Sequence, residues 1–285
     1  MNKYTSLTPA VLHILKDKGT EAAFSGNYLE AGTPGTYLCR GCGLALFRAD
    51  SQFTSACGWP SFDDEIANTI LRQPDADGRR VEILCNRCHG HLGHVFQGEG
   101  YTKKDLRHCV NSLAVDFVAD ETVLDTEEAI LAAGCFWGVE ALLKKLPGVL
   151  LTEVGYIGGN VTEPNYEMIC QGDTGHLEAV RVIYDPQHIT YQKLLQYFFE
   201  IHDPEQDNGQ GPDIGSQYLS AIFYFNDSQK TQAMEVLQQL QQLGYHPKTQ
   251  LCQMQTFWLA ELYHQDYYTK TGKQPYCHIW QKKFS

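Results

Sequence analysis

Two cysteine pairs with the same spacing stand in the first part of the chain, Cys39 with Cys42 and Cys85 with Cys88. Two intervening residues let both thiols of a pair converge on one ion, and four thiolates fill the tetrahedral shell of Zn²⁺ without an open position. The pattern therefore predicts a structural zinc site. Two alternatives stay open: one pair is a redox dithiol, or all four are buried thiols without a metal.

Cys109 lies in the segment Arg107-His-Cys-Val-Asn111, where a neighbouring guanidinium favours the thiolate over the thiol. Upstream, His91 and His94 have the spacing to flank a substrate as an acid and an orienting group. Zinc ligation is the competing interpretation for these imidazoles, but the four cysteines already fill a tetrahedron. The segment predicts either a reactive thiol or a buried, inert one.

Cys135 follows an apolar strand candidate and Gly134, and it stands where a helix is predicted to begin. The partial positive charge of a helix N-terminus lowers the pKa of a thiol. Phe136 and Trp137 follow at once and would form an apolar pocket beside the thiolate. The same pattern fits a cysteine hydrolase with His176 as its base.

Three further side chains are candidates to assist this thiolate. Glu178 begins a predicted strand, and beside a thiolate and aromatic rings its pKa would rise enough for a general acid. Tyr166 and Tyr218 would donate hydrogen bonds to a developing oxyanion. The plainer alternative for each is an ordinary structural or solvent-facing side chain.

The elements that must carry these residues differ along the chain. The first part predicts one helix capped by Thr8 and then short strands, which makes it mainly β. Its strand candidates are 35–39, 44–47, 81–85, 94–96, 107–110 and 114–118. The second part alternates strands at 129–133, 149–155, 178–184 and 219–225 with helices after Cys135 (to Leu146), after Thr190 and over 228–243. This alternation predicts a sheet covered by helices.

The chain of 285 residues is long enough for two domains. Its net charge of −12 is uneven: residues 1–119 hold 12 basic and 13 acidic residues, and residues 120–285 hold 10 and 21. We therefore expect a first domain over 1–119, a linker over 120–128 and a second domain over 129–285. The acidic linker is expected to be solvated, with a short helical turn as the alternative.

The composition also excludes several classes of function. An acidic balance argues against nucleic acid or an anionic membrane as a partner. No apolar run approaches the roughly 18 residues of a membrane span, and the polar start lacks the order of a signal peptide, so we expect a cytoplasmic protein. Ten cysteines are too few for a disulfide scaffold and should be ligands, catalysts or buried thiols.

Together these motifs are recognisable. Residues 1–119 resemble methionine sulfoxide reductase B in the two zinc pairs and in the words Gly58-Trp-Pro-Ser-Phe62, His91-Leu-Gly-His-Val-Phe96 and Arg107-His-Cys-Val-Asn-Ser112. Residues 129–280 resemble methionine sulfoxide reductase A in the words Gly134-Cys-Phe-Trp-Gly-Val-Glu140, Gly175-His-Leu-Glu178, Asp213-Ile-Gly-Ser-Gln-Tyr218 and Tyr263-His-Gln-Asp266. The chain thus resembles a fused B–A methionine sulfoxide reductase.

The resemblance implies a fold and an activity for each domain. The first domain would be two antiparallel sheets with a structural zinc, and the second an α/β two-layer sandwich with a ferredoxin-like core. The first would reduce the R epimer and the second the S epimer of methionine sulfoxide, in oxidised proteins, in peptides or as the free amino acid. Zinc would be present without an organic cofactor, and thioredoxin would be the external dithiol.

The resemblance also assigns roles in the first domain. Cys109 would be the nucleophile, Cys57 the resolving thiol, and Trp59 would pack on the methyl group of the sulfoxide. The acid and water network would be shaped by His91, His94, Arg107 and Asn111.

In the second domain Cys135 would be the nucleophile, Glu178 the acid and Cys277 the resolving thiol. The sulfoxide oxygen would be oriented by Tyr166, Asp213 and Tyr218, and the methyl group held by Phe136 and Trp137.

The chemistry of the reaction fits this cysteine count. A thiolate attacks the sulfoxide sulfur, the oxygen is protonated, and the sulfenic acid left on cysteine condenses with a second thiol to a disulfide that an external dithiol reduces. Cys170 and Cys252 remain and are expected to be buried thiols, with Cys252 the alternative to Cys277 as resolver. The rival interpretation is a zinc-binding interaction module fused to a cysteine hydrolase.

Overall fold

A computed structural model of the chain describes residues 7–30, 32–120 and 122–284. The chain separates into two compact units, with the boundary between Glu127 and Glu128. Within the described ranges no helix is long and apolar enough to cross a membrane. Each unit is described by itself below.

Within the acidic segment 120–128, where we expected a solvated linker, Val123 and Thr126 are buried and hydrogen bonds join residues 125 and 126 to the first unit. Val123 is 0% exposed, and Thr126 is 1% exposed. The Arg87 guanidinium donates to Asp125 Oδ1 at 2.8 Å and to the Thr126 carbonyl at 2.6 Å. The sequence did not predict this packing, because one buried valine in an acidic segment produces no periodic hydrophobic pattern.

The first unit contains one helix and mostly short strands. Helix α1 spans Pro9–Leu15, and Oγ1 of Thr8 accepts a hydrogen bond from Val11 N at 3.4 Å, which confirms the predicted cap. Single 3-10 turns lie at Ala49–Ser51 and Ser112–Ala114. The strands are β1 (Thr36–Cys39), β2 (Ala45–Arg48), β3 (Gln52–Phe53), β4 (Ser61–Phe62), β5 (Ile70–Pro74), β6 (Val81–Cys85), β7 (His91–Gln97), β8 (Leu106–Val110) and β9 (Val115–Val118).

These strands form two sheets, with the orders β2-β1-β9 and β3-β4-β8-β7-β6-β5, and all their pairings are antiparallel. The unit is therefore β-rich, as the sequence predicts. One core joins the helix to both sheets, because Ile14, Phe47 and Phe62 belong to the same buried cluster. The rings of Phe47 and Phe62 stack with centroids 4.5 Å apart.

The second unit alternates strands and helices. Its strands are β10 (Glu127–Ala133), β11 (Val149–Ile157), β12 (Leu177–Tyr184), β13 (Gly209–Gln210), β14 (Asp213–Ile214), β15 (Ser220–Tyr224), β16 (Gln250–Gln253) and β17 (Trp258–Leu259). Its helices are α2 (Phe136–Leu143), α3 (Tyr166–Gln171), α4 (Tyr191–Glu200), α5 (Asp227–Gln242) and α6 (Tyr267–Thr271), with a 3-10 turn at Ser216–Tyr218. The helix after Cys135 was predicted to reach Leu146, but α2 ends at Leu143, and turns occupy the residues before Pro147.

The main sheet of this unit has the order β16-β15-β10-β12-β11-β17. With α2 and α4 as crossovers, its centre follows the β-α-β-β-α-β split arrangement. Leu131 and Ala133 face a core shared with α2, α4 and α5, whereas Ile130 and Ala132 belong to a second cluster on the other face of the sheet. Beyond Thr271 the described chain contains no helix or strand, so the tail is irregular.

Candidate functional sites

The four paired cysteines form one buried cluster at the end of β1 and the end of β6. The Sγ atoms of Cys39 and Cys88 are 3.6 Å apart, as are those of Cys42 and Cys85, and all four lie within 4.8 Å of one another. Tetrahedral Zn²⁺ with bonds of about 2.3 Å needs sulfurs about 3.8 Å apart. The cluster therefore fits a zinc ion with no ligand position left open.

In the first unit Cys109 lies on β8, which pairs with β4 on one side and β7 on the other. Its register partners are Ser61 on β4 and His94 on β7. A Cβ atom at Gly93, which has φ +152°, would lie 2.0 Å from the Cys109 carbonyl oxygen. Only glycine at this position lets β7 approach the strand of the thiol so closely.

Cys57 brings a second thiol to Cys109. Their Sγ atoms are 3.9 Å apart, and the Ser55 hydroxyl donates to the Cys57 sulfur at 2.9 Å. The hydrogen bond with Cys109 lowers the pKa of Cys57, and the Ser55 and Ser61 hydroxyls add to this. The hydrogen bond with Cys57, burial and the negative charge of Cys57 raise the pKa of Cys109. Arg107 lowers it. In the pair these shifts thus favour the thiolate on Cys57 and the thiol on Cys109.

The two predicted histidines are each fixed by a carboxylate. Nδ1 of His91 donates to Glu82 Oε1 at 2.7 Å, and Nε2 of His94 lies 2.6 Å from Asp75 Oδ2. The imidazole rings are 5.5 Å apart. Burial lowers the pKa of His91, and its Nε2 is buried without a partner among the described residues. That nitrogen is available to a substrate or a water molecule.

Arg107 is held as a fixed cation next to the thiol pair. Its Nε and Nη2 donate to the two oxygens of Glu99 at 2.6 and 2.8 Å, and its guanidinium carbon lies 4.5 Å from the centroid of the Phe96 ring. Nη1 is buried and has no partner in the described part of the chain. Because Glu99 accepts only from Nε and Nη2 of the guanidinium, Nη1 can donate to a further acceptor.

Trp59 and Asn111 are both connected to Glu21. The indole Nε1 donates to the Glu21 carbonyl at 3.1 Å, and Asn111 Oδ1 accepts from the Glu21 amide at 3.1 Å. The Asn111 amide nitrogen in turn donates to the Leu92 carbonyl at 3.1 Å. Asn111 thus fixes Glu21, and the Glu21 carbonyl in turn holds the Trp59 indole. Sequence reasoning missed Glu21 as the common partner.

In the second unit Cys135 immediately precedes α2 and is 7% exposed. A hydrogen bond from Cys277 lowers its pKa most, and the amides of Trp137 and Gly138 contribute, against the effect of burial. The amides at the start of α2 therefore lower the pKa of Cys135, as the helix-terminus argument predicts. The contribution of Cys277 could not be read from the sequence, because 142 positions separate the two thiols.

Glu178 is a buried carboxyl group at the start of β12, with 2% of its surface exposed. Its Oε2 accepts a hydrogen bond from the amide of Phe136 at 3.1 Å, next to Cys135. Burial raises the pKa of Glu178 well above its usual range, and the Cys135 thiolate raises it further. Glu178 thus holds its proton more tightly than an ordinary carboxyl group, as a general acid requires.

Cys277, Cys135 and Asp213 meet in one cluster, with their ligand-type atoms within 4.8 Å of one another. The Tyr276 hydroxyl donates to the Asp213 carboxylate at 3.1 Å. Cys277 Sγ lies 3.0 Å from Nδ1 of His278, whose Nε2 donates to the Ala133 carbonyl at 2.6 Å. The irregular tail is therefore anchored at the nucleophile, and Cys277 is the thiol that lies beside Cys135.

The two predicted methyl-contacting rings differ in exposure. Phe136 is 1% exposed and belongs to the core, whereas Trp137 is half-buried. The Trp137 indole stacks on Tyr267 with centroids 3.8 Å apart, and its Nε1 donates to His264 Nδ1 at 3.0 Å. Trp137 is the ring that remains available to a substrate.

Tyr166 and Tyr218 are half-buried. Burial raises the pKa of both, and the negative charge of Glu178 contributes to each shift. The Tyr166 amide donates to Glu261 Oε1 at 2.9 Å, and its ring lies 4.6 Å from that of His264. Both phenols remain protonated and can donate to an oxyanion.

Two expectations for the remaining cysteines are wrong. Cys170 is exposed, because it lies on the outer side of the short helix α3, and Cys252 is half-buried, because β16 is an edge strand with one neighbour.

The cysteine hydrolase alternative required His176 to act as a base, and the structure does not leave this imidazole free to do so. Both ring nitrogens of His176 are engaged, by the Gly159 amide at 3.2 Å and the Val161 carbonyl at 2.8 Å.

Sequence reasoning missed the residues that orient the predicted ones. The word Tyr263-His-Gln-Asp266 contains His264, but a word gives no partner for its residues. The carboxylates of Glu82, Asp75, Glu99 and Glu261 lie outside those words, and each is joined to the site by the contacts given above.

Each unit thus pairs a thiol with a second thiol and with proton-carrying groups, and this defines a thiol-dependent oxidoreductase. Two family profiles match the chain: the one described as Peptide methionine sulfoxide reductase over residues 127–285, and the SelR domain over residues 7–119. The chain belongs to the peptide methionine sulfoxide reductases, with fused MsrB-type and MsrA-type domains.

Individual relatives agree with the family profiles. The chain is 42% identical over 177 residues to the peptide methionine sulfoxide reductase MsrA of Methanosarcina acetivorans, covering 61% of this chain and 94% of that protein. It is 49% identical over 152 residues to the MsrA of Thermus thermophilus, covering 53% and 86%. The crystal structure of Mxr1 from Saccharomyces cerevisiae in reduced form superposes with a TM-score of 0.52 and 33% identity, over 55% of this chain and 92% of that one.

Proposed function

We propose that the two units are independent methionine sulfoxide reductases of opposite stereospecificity, the first acting on the R epimer and the second on the S epimer. The observation that carries the proposal is a second thiol beside each nucleophile. The Sγ atoms of Cys57 and Cys109 are 3.9 Å apart, and those of Cys135 and Cys277 lie within 4.8 Å. A disulfide forms at about 2.05 Å, so each pair closes with a movement of a few ångströms.

In the first unit Cys109 attacks the sulfoxide sulfur. Attack requires that Cys109 pass its proton to the Cys57 sulfur, and Arg107 favours this transfer because it lowers the pKa of Cys109. His91 and His94 supply and orient the proton for the sulfoxide oxygen, which passes to the Cys109 sulfur as a sulfenic acid while methionine is released. Trp59 packs on the methyl group. Cys57 then condenses with the sulfenic acid to a disulfide.

In the second unit Cys135 attacks and Glu178 gives its proton to the oxygen. Tyr166 and Tyr218 hold that oxygen by hydrogen bonds, with Asp213 at the edge of the site. Trp137 contacts the methyl group with Phe136 behind it, and Cys277 resolves the sulfenic acid. A thioredoxin-type dithiol reduces each disulfide, in a reducing compartment such as the cytoplasm.

The four-cysteine cluster would hold a structural zinc ion in the first unit. Four buried thiolates leave no position for substrate or water, so zinc takes no part in the reaction. Its binding free energy stabilises the fold that carries β6 and β7.

The proposal is tested by dithiol-dependent turnover of the two resolved sulfoxide epimers of a blocked methionine. We expect the full chain to reduce both epimers with thioredoxin and its reductase. A covalent acyl intermediate without a need for dithiol would support the hydrolase alternative. Resistance of Cys109 to alkylation at neutral pH, with no turnover of the R epimer, would support a zinc-binding interaction module.

A further inference from the structure

Cys135, Asp213 and Cys277 have a second chemical capability besides the reaction. Their two sulfurs and one carboxylate oxygen lie within 4.8 Å of one another, and Cys135 is buried. Among the described residues the structure has one other grouping of this kind, the four-cysteine cluster. Three convergent ligands from separate segments can enclose one ion.

The ligand set selects the kind of ion. Thiolates bind borderline-soft cations, and a carboxylate oxygen is the third ligand type that Zn²⁺ accepts in proteins. Three protein ligands leave a fourth position for water, unlike the closed four-cysteine cluster. Hard cations such as Mg²⁺ require oxygen ligands and are excluded by the two sulfurs.

Neighbouring side chains fix the positions of two of the three ligands, Cys277 and Asp213. His278 fixes Cys277 by the 3.0 Å contact between Nδ1 and Sγ, and a Cβ at Gly138 would lie 2.3 Å from that Nδ1, so glycine is required there. The Tyr276 hydroxyl orients the Asp213 carboxylate at 3.1 Å. Little reorganisation is needed to bind an ion.

The charges at the cluster also favour a cation. The carboxylate of Asp213 and the thiolates that Cys135 and Cys277 form on binding an ion would repel one another within 4.8 Å. A divalent cation neutralises this repulsion. Binding releases the remaining thiol protons and involves no oxidation or reduction.

We propose that the reduced second unit binds one Zn²⁺ through Cys135, Asp213 and Cys277, and that this ion inhibits reduction of the S epimer. The inference rests on the proposed function of the two cysteines. The ion occupies both the nucleophile and the resolving thiol, so neither reacts while it is bound. Formation of the disulfide between them removes both sulfur ligands, so only the reduced enzyme is inhibited.

The test uses the full chain with zinc in its four-cysteine cluster, reduced with a phosphine because dithiols compete for the metal. Co²⁺ is titrated as a spectroscopic substitute for Zn²⁺. We expect one additional equivalent with sulfur-to-cobalt charge-transfer absorption, absent from Cys135→Ser and Cys277→Ser. Asp213→Asn should weaken the binding by about tenfold or more, the least that loss of a metal-site partner costs. The controls Cys170→Ser and Cys252→Ser should keep the full uptake.

Inhibition is measured separately on the wild-type chain. Saturating Zn²⁺ should stop S-epimer turnover, leave R-epimer turnover unchanged, and be reversed by a chelator. Absence of the additional equivalent, or its persistence in Cys135→Ser, would overturn the proposed site. Unchanged S-epimer turnover with the ion bound would overturn the inhibition. Lack of S-epimer turnover before metal is added would instead count against the proposed function.

Discussion

Nδ1 of His91 donates a hydrogen bond to Oε1 of Glu82 at 2.7 Å, and both side chains are 3% exposed. The other carboxylate oxygen of Glu82 accepts from Lys18 Nζ at 2.8 Å and from Gln73 Nε2 at 2.7 Å. The carboxylate therefore fixes the tautomer of His91 and directs its unpartnered Nε2 away from β6. In this respect Glu82 is a positioning residue for the first site.

Glu82→Gln keeps the shape of this contact and removes its charge. Because Glu82 raises the pKa of His91 against the effect of burial, the substitution should lower that pKa further. We expect kcat/KM for the R epimer to fall by about tenfold, a part of the 10²–10⁴ that a general acid or base contributes. Nitrogen-15 NMR titration of His91 checks the shift, and an unchanged titration would remove Glu82 from this role.

Cys85→Ser should remove zinc from the chain and unfold the first unit. Structural zinc contributes about 10–16 kcal/mol of binding free energy, as much as the whole stability of a typical domain. Metal analysis and thermal unfolding measure the two effects, and S-epimer turnover by the second unit is the internal control. A variant without zinc whose first unit still melts cooperatively would contradict the structural role.

Cys277→Ser should separate the first turnover from the catalytic cycle. One equivalent of S epimer should still be reduced, because Cys135 and Glu178 are intact, but thioredoxin-driven cycling should stop. Cys252→Ser is the matched control and should cycle normally. Peptide mapping after oxidation should link Cys135 to Cys277, and a link from Cys135 to Cys252 would reverse the assignment.

The pH dependence of the second unit follows from Glu178. Because burial raises its pKa, the carboxyl keeps its proton to a higher pH than an ordinary glutamic acid and loses it as the pH rises through that raised value. The single-turnover rate for the S epimer should therefore decline on the alkaline side. Glu178→Gln should be slower by about 10²–10⁴ and should lack this decline. An alkaline decline that persists in Glu178→Gln would assign the titration to another group.

The parts of the fold that the sequence predicts are those with a local signal. Thr8 and Thr190 cap helices as expected, and β6 runs over the predicted residues 81–85. Strands β3, β4, β13 and β14 were not predicted, because two residues carry no alternation pattern.

In the candidate sites, too, the sequence predicts the residues that have a local signal and misses those positioned by distant segments. Cys109 and Cys135 lie in recognisable words, but the partner of Trp137, His264, lies 127 positions away in sequence. Cys170 was expected to be buried because a lone thiol usually is, and a helix as short as α3 gives no periodicity to say which side faces solvent.

The most direct test of two independent sites compares Cys109→Ser and Cys135→Ser on the resolved epimers in the full chain. Each pocket must hold methyl group, oxygen and lone pair in one handed order around sulfur, so a pocket that accepts one epimer rejects the other. We predict that Cys109→Ser loses only R-epimer reduction and Cys135→Ser only S-epimer reduction. Loss of both activities from either single substitution would contradict the assignment of one stereospecific site to each unit.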